Sequence, residues 1–329
     1  MLLTTRSLAI GYGNYIVQQQ LELFAESGNL ICLIGTNGSG KSTLLRTLAG
    51  LQKPLMGNVF INEKMLSKLS HHERSMMLSL VLTDPIDDDN MTVFDLVSLG
   101  RFPYTNWIGT LTEKDKQIIM TSITQVNLTS KINAYLHEIS DGEKQRAIIA
   151  KALTQDTPLV LLDEPTAHLD LPNRVEIMLL LRKLSVNTRK TFILSTHELD
   201  LAIQMADNIW LIHPHKIETG IPEDLMLSGK LQQIFGSNSF YFDKRDGHFS
   251  IHHLLGNLEV QVSGEEIPVL WTIRALNRFG IKVTETADIQ IIANYQRFLL
   301  RQNNTSTWQE LHSIEALLKV FPVFSVAAP

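Results

Sequence analysis

Residues 35–43 read Gly35-Thr36-Asn37-Gly38-Ser39-Gly40-Lys41-Ser42-Thr43 and fit the spacing G-x-x-x-x-G-K-[ST]. This spacing lets a backbone wrap around a phosphate. Glycines remove the Cβ atoms that would hold the chain away from the anion, and backbone amides with a helix N-terminus point at it. The Lys41 ammonium can neutralise β- and γ-phosphate oxygens, and the Ser42 hydroxyl can complete the shell of a Mg²⁺ ion. A glycine-rich turn would explain the glycines but not the Lys41-Ser42 pair. The expected ligand is a nucleoside triphosphate.

Further polar residues follow apolar runs. Leu159-Val160-Leu161-Leu162 leads into Asp163 and Glu164. At the carboxyl end of a strand beside the phosphate loop, Asp163 is expected to hold Mg²⁺, and Glu164 to orient or deprotonate an attacking water. Alone, such an acidic pair is often a solvated turn, and the upstream loop is what argues against that reading. Ser140-Asp141-Gly142-Glu143 has the form of a capping box, Ser140 with Glu143, and the same helix start offers the Ser140 hydroxyl and Gly142 amide to a second phosphate contact. His197, in Leu194-Ser195-Thr196-His197, follows another apolar run and is either structural or a hydrogen-bonding group for a γ-phosphate. Asp170 lies on the turn after Asp163.

Such residues need a frame that brings strand ends together. Runs at 30–34, 77–82, 159–162, 192–194 and 209–212 are apolar without period-two alternation, as strands covered on both faces are. Residues 41–51, 143–153 and 174–184 have the composition or the three- and four-residue apolar spacing of helices that pack on such a sheet. The fold class expected is α/β, with a mostly parallel sheet.

Composition narrows the function classes. The 329 residues carry 29 basic and 34 acidic side chains, a net charge of −5 that gives no support to a nucleic-acid partner. A single cysteine, Cys32, excludes an intramolecular disulfide and suits a reducing compartment. Charges interrupt every long apolar run, so no membrane-spanning helix of roughly 18 apolar residues is expected, and the first residues lack a secretory pattern.

In combination and order, these motifs resemble the ATP-binding cassette (ABC) family of transport ATPases over residues 1–254. Residues 35–43 match its Walker A loop, 139–145 its LSGGQ-type signature, 159–164 its Walker B strand, Ala167-His168-Leu169-Asp170 its D-loop and His197 its switch histidine. Tyr12 matches the aromatic residue that the family stacks on adenine. The resemblance implies a P-loop NTPase cassette with a mostly parallel core sheet, an antiparallel β subdomain and a helical subdomain. ATP and Mg²⁺ would be the cofactors. Tyr12, Gly35, Asn37, Gly38, Ser39, Gly40, Lys41, Ser42 and Thr43 would bind nucleotide, Ser42 and Asp163 the metal, and Glu164, His197 and Lys41 would be catalytic.

The resemblance also implies partners. Two copies would pair head to tail, each ATP held between the phosphate loop of one and Ser140, Gly142 and Asp170 of the other. The dimer would sit peripherally on the cytoplasmic face of the cell membrane, on separate permease subunits, and meet a substrate-binding protein only indirectly. Gly100-Arg101-Phe102-Pro103, within residues 91–104, is similar to the G-R-x-P segment of ATPases serving importers of iron siderophores, haem and cobalamin. Its local pattern is also that of a capped helix at 92–99 with a glycine stop. Import of one of these cargoes is the expectation; import or export of another substrate, or a soluble ABC ATPase without a permease, is the alternative.

Two positions depart from the family. Where a glutamine usually contacts Mg²⁺, Val81-Leu82-Thr83-Asp84-Pro85 has none, and Thr83 is expected in its place. Asp141 stands where the signature usually has its first glycine. Residues 255–329 lie outside the resemblance and predict a small C-terminal α/β domain, with strands at 258–262, 281–283 and 289–293 and helices at 269–279 and 308–321. The last of these helices is expected to start on a Thr307–Glu310 capping box. Binding a regulatory ligand or strengthening the dimer are the roles considered for this domain.

Overall fold

The computed structural model describes residues 1–82, 90–106, 108–213, 216–236, 240–243, 248–302 and 307–321. Two compact units result: Met1–Phe235 with Phe242–His248, and Gly236–Tyr241 with Phe249–Pro329.

In the first unit, β1 (Leu3–Tyr12), β2 (Tyr15–Leu21) and β3 (Phe24–Ala25) precede β4 (Leu30–Gly35) and α1 (Lys41–Leu48). Next come β5 (Met56–Ile61), β6 (Lys64–Met65), α2 (His71–Ser75) and β7 (Leu78–Val81). Three helices follow, α3 (Val93–Ser98), α4 (Glu113–Gln125) and α5 (Asp141–Thr154). The chain then runs through β8 (Leu159–Leu162), α6 (Leu171–Thr188), β9 (Thr191–Ser195), α7 (Leu199–Met205), β10 (Asn208–His213), β11 (Lys216–Gly220), α8 (Pro222–Leu227) and α9 (Lys230–Phe235).

The central sheet has the order β11-β10-β4-β9-β8-β7, parallel except for the edge strand β11. Every residue of β4, β8 and β9 is buried, which is why these strands read as continuous apolar runs. Successive residues of β4 supply opposite faces. Cys32 and Ile34 join a core with Val160, Leu162, Leu194, Leu96, Ile149 and Leu181. Ile31 and Leu33 join the other with Leu44, Leu45 and Leu48 of α1 and Leu8 and Ile10 of β1. Each such fully buried aliphatic side chain contributes about 1.5–3 kcal/mol of transfer free energy. An antiparallel sheet, β2-β1-β5-β6 with β3 against β1, forms a second layer.

Helices α3, α4 and α5 pack on one another. Thr92 caps α3 reciprocally with Asp95, as the sequence predicts. The α-helix ends before Gly100 as expected, but the chain does not leave the helical path there: a 3₁₀ helix, Leu99–Tyr104, continues through Gly100 and Pro103. Gly100 also serves close packing, since a Cβ there would fall 2.2 Å from the Lys151 carbonyl oxygen of α5. Arg101 is buried, its Nε donating to Asp115 Oδ1 at 2.8 Å and its Nη1 to Thr154 O at 3.0 Å.

Further along, β12 (Phe240–Asp243) and β13 (His248–Ile251) form a two-stranded sheet. The second unit contains β14 (Glu259–Gly264), α10 (Glu266–Arg278), β15 (Lys282–Val283), β16 (Ile289–Ala293), β17 (Phe298–Arg301), β18 (Gln309–Leu311) and α11 (Ile314–Leu318). Its sheet has the order β15-β14-β16-β17-β18, covered by a core that includes Val260, Leu276, Ile291, Leu300 and Leu317. The helix expected over 308–321 is also corrected. Residues 309–311 pair with β17 as an edge strand, and only then does α11 start, capped by Ser313, whose Oγ accepts from Ala316 N at 3.0 Å. Sheet pairing outweighs the local Thr307–Glu310 pattern there. No helix among the described residues is long and apolar enough to cross a membrane.

Candidate functional site

Residues 36–40 join β4 to α1 through glycines at φ 76° (Gly38) and 103° (Gly40), a left-handed region that favours glycine. A Cβ on Gly40 would meet Val17 Cγ1 at 2.5 Å, and one on Gly35 would meet Ile212 O at 2.7 Å. At the first turn of α1, the buried Lys41 Nζ donates to Gly35 O at 3.0 Å and Thr36 O at 3.2 Å. Burial lowers its pKa, opposed by the carboxylates of Glu164 and Asp163. Ser39 Oγ is buried and has no hydrogen-bond partner among the described residues. An ammonium resting only on its own loop's carbonyls and an orphaned hydroxyl both fit a phosphate at this turn. Tyr12 Oη lies 2.9 Å from Thr43 Oγ1, and the Tyr12 ring is exposed beside the loop.

Parallel pairing of β4 with β9 and β9 with β8 sets the ends of three strands side by side. Asp163, just past β8, is buried and accepts from Ser42 Oγ at 3.1 Å and from Ser195 Oγ at 2.7 Å, both at Oδ1. Its backbone N–H donates to Val81 O at 2.9 Å. Glu164 has φ 47° and donates its N–H to Ser195 Oγ at 2.8 Å. Glu164 Oε1 lies 2.7 Å from His197 Nε2. Among the described residues no group of three or more His, Cys, Asp or Glu side chains could hold a metal. A hydroxyl beside one carboxylate fits Mg²⁺, which keeps waters and phosphate oxygens in its shell.

Elsewhere, Ser140 caps α5 in a complete capping box with Glu143, its Oγ accepting from Glu143 N at 3.3 Å. The Ser140 N–H bond to Glu143 holds that carboxyl below its ordinary pKa. Asp170 caps α6, Oδ1 accepting from Asn173 N at 3.0 Å and Nδ2 at 2.7 Å. The same Asn173 abuts the signature, because a Cβ on Gly142 would fall 2.3 Å from Asn173 Oδ1. Helices α5 and α6 therefore bring Ser140, Gly142 and Asp170 into one neighbourhood. Thr83 and the acidic residues Asp84, Asp87, Asp88 and Asp89 lie outside the described residues. Ser195 stands in the switch-histidine stretch Ser195-Thr196-His197 but carried no role of its own in the sequence, and Asn173 belongs to no motif whose spacing demands chemistry of it.

Residues 18–167 match the ABC transporter family, and residues 257–321 match the iron ABC transporter C-terminal domain. An uncharacterised ABC transporter ATP-binding protein of Methanocaldococcus jannaschii is 39% identical over 251 residues, covering 76% of this chain and 87% of that one. The chain belongs to the ABC transporter family. It is an ATP-binding cassette of the kind that hydrolyses ATP to drive transport. The cassette is also similar to the petrobactin import ATP-binding protein of Bacillus anthracis, 34% identical over 234 residues, with 71% of this chain and 86% of that protein covered. Among solved structures, an inward-facing ABC transporter assigned to the metal-chelate type is 27% identical with a TM-score of 0.63, covering 71% of this chain and 88% of that one.

Proposed function

We propose that this ATPase powers import of an iron chelate through separate permease subunits, as a peripheral subunit on the cytoplasmic face of the membrane. The observation that carries the ATPase chemistry is the meeting of Ser42, Asp163, Glu164 and His197 at adjacent strand ends beside the phosphate loop. What supports the cargo is the iron-type C-terminal match together with relatives named for petrobactin import and for siderophore transport, against haem or cobalamin as alternatives.

The residues divide the work. Gly35, Asn37, Gly38, Ser39 and Gly40 turn the backbone about the phosphates, Thr43 continues the helix start, and Tyr12 offers its ring to the base. Lys41 counters negative charge on the β- and γ-oxygens. Ser42 and Asp163 would hold Mg²⁺, which when bound neutralises phosphate charge. Glu164 orients a water and takes its proton as the water oxygen attacks the terminal phosphorus, while the bond from that phosphorus to the bridging oxygen breaks and ADP leaves. His197 holds the Glu164 carboxylate in position and can donate to the γ-phosphate.

Ser140, Gly142 and Asp170 face the nucleotide of a second copy in this reading, so that ATP favours the closed pair and hydrolysis releases it. Reconstitution tests the proposal. The chain, combined in liposomes with iron-chelate permease subunits and their substrate-binding protein, should support import of a ferric siderophore on ATP addition and leave haem and cobalamin outside. ATP-driven uptake of either of those instead would overturn the cargo assignment.

A further inference from the structure

Ser195 ends β9, is fully buried, and spends its hydroxyl on two consecutive residues that have different tasks. The proton goes to Asp163 Oδ1 at 2.7 Å, and a lone pair accepts the Glu164 N–H at 2.8 Å. Glu164 is not glycine, yet its φ is 47°, a conformation that persists only where the surroundings hold it. Asp163 Oδ1 in turn accepts from Ser42 Oγ, and Glu164 Oε1 meets His197 Nε2. One hydroxyl thus links the oxygen pair suited to a cation with the backbone turn that aims the proposed base.

We propose that Ser195 is a positioning residue for ATP hydrolysis: it fixes the Asp163 carboxylate and the left-handed Glu164 turn in a single arrangement. This inference rests on the proposed roles of Asp163 and Glu164. Without the hydroxyl, a half-buried N–H loses its acceptor and the turn loses the bond that holds it. Glu164 can then swing away from the attacking water, and displacement by about 1 Å is enough to cost on the order of a hundredfold in rate. ATP capture by the phosphate loop needs no contact from Ser195 and should persist.

The test compares Ser195→Thr with Ser195→Val in the full chain, two side chains of like shape that differ in the hydroxyl, alongside Ser195→Ala. Val and Ala should lower kcat about ten- to a hundredfold, with KM for ATP and metal-free ATP affinity within about twofold of the parent. Thr should restore most of kcat. If Val or Ala keeps the parent kcat while Glu164→Gln loses turnover, the positioning role fails and the base survives. Loss of kcat and metal-free affinity together, with Thr no better than Val, reduces Ser195 to a packing residue and also overturns the inference. Undiminished turnover in Glu164→Gln would instead sink the reading of Glu164 on which it rests.

Discussion

His197 Nε2 lies 2.7 Å from Glu164 Oε1, joining the chain just past β9 to the chain just past β8. The two residues are 33 apart in sequence, and parallel pairing of their strands makes them neighbours. A carboxylate held from both sides, by His197 at its tip and Ser195 at its backbone, is preorganised for one direction of proton transfer.

Replacing Glu164 with Gln preserves shape and removes the base. We expect ATP binding to persist while steady-state hydrolysis falls about 10²- to 10⁴-fold. The variant should also accumulate as an ATP-bound dimer in size-exclusion chromatography, and a monomer at saturating ATP would contradict the two-copy reading.

Lys41→Ala removes the buried ammonium at the first turn of α1. Charge-assisted hydrogen bonds contribute about 1.5–3 kcal/mol, so ATP affinity should weaken by roughly ten- to a hundredfold. Equilibrium binding of a fluorescent ATP analogue checks this, and an unchanged dissociation constant would remove Lys41 from the site.

At Gly142, alanine would bring a methyl to within 2.3 Å of Asn173 Oδ1, forcing that side chain off the Asp170 carboxylate that caps α6. Overpacking of this kind costs about 1–3 kcal/mol. Adding Asn173→Ala should relieve the clash, so thermal unfolding of the double variant should lie above that of Gly142→Ala alone. A double variant no more stable than the single one rules out this contact as the cause.

Arg101→Ala would leave Asp115 buried without its guanidinium partner. Thr112 still donates its N–H and hydroxyl to Asp115, so the loss is that of one charge-assisted bond and its packing, about 1–3 kcal/mol. Urea denaturation should therefore show a clear loss of stability, although Arg101 sits in the segment that is similar to importer ATPases.

The Glu218 carboxyl is held down to about 2, first by Lys216 and then by Lys230. A depressed carboxylate stabilises the fold above its ordinary value of about 4.5, and the contribution is lost as pH falls through about 2. Glu218→Gln should accordingly cost about 1–2 kcal/mol near pH 7, less than the full shift implies because both lysines are solvent-screened. The gap from the parent should narrow as pH drops below 4.5, when measured by denaturant titration across pH.

Much of the frame was legible because its signals are local. Continuous apolar runs mark β4, β8 and β9, and glycine spacing marks the phosphate loop, whose left-handed turns at Gly38 and Gly40 few other residues would accept. The capping boxes at Thr92 and Ser140 involve residues three apart, so they too can be read directly. Local patterns fell short or misled where a distant neighbour decided. The α-helix ends before Gly100 as its pattern indicates, yet the glycine itself is required by Lys151 O on α5; 308–321 looked like one helix, but β17 recruits its first residues as a strand.

By itself, then, the amino-acid order determined a nucleotide-binding α/β cassette, its phosphate loop, and the residue types at the strand ends, since each depends on backbone preferences and spacing within a few residues. Only the tertiary structure decided that Ser195 serves Asp163 and Glu164 at once, that Asn173 stands against Gly142, and that Arg101 is spent on Asp115. Hydrogen bonds and steric contacts act over about 3 Å, and partners far apart in sequence come within that reach only after the sheet and helices have packed.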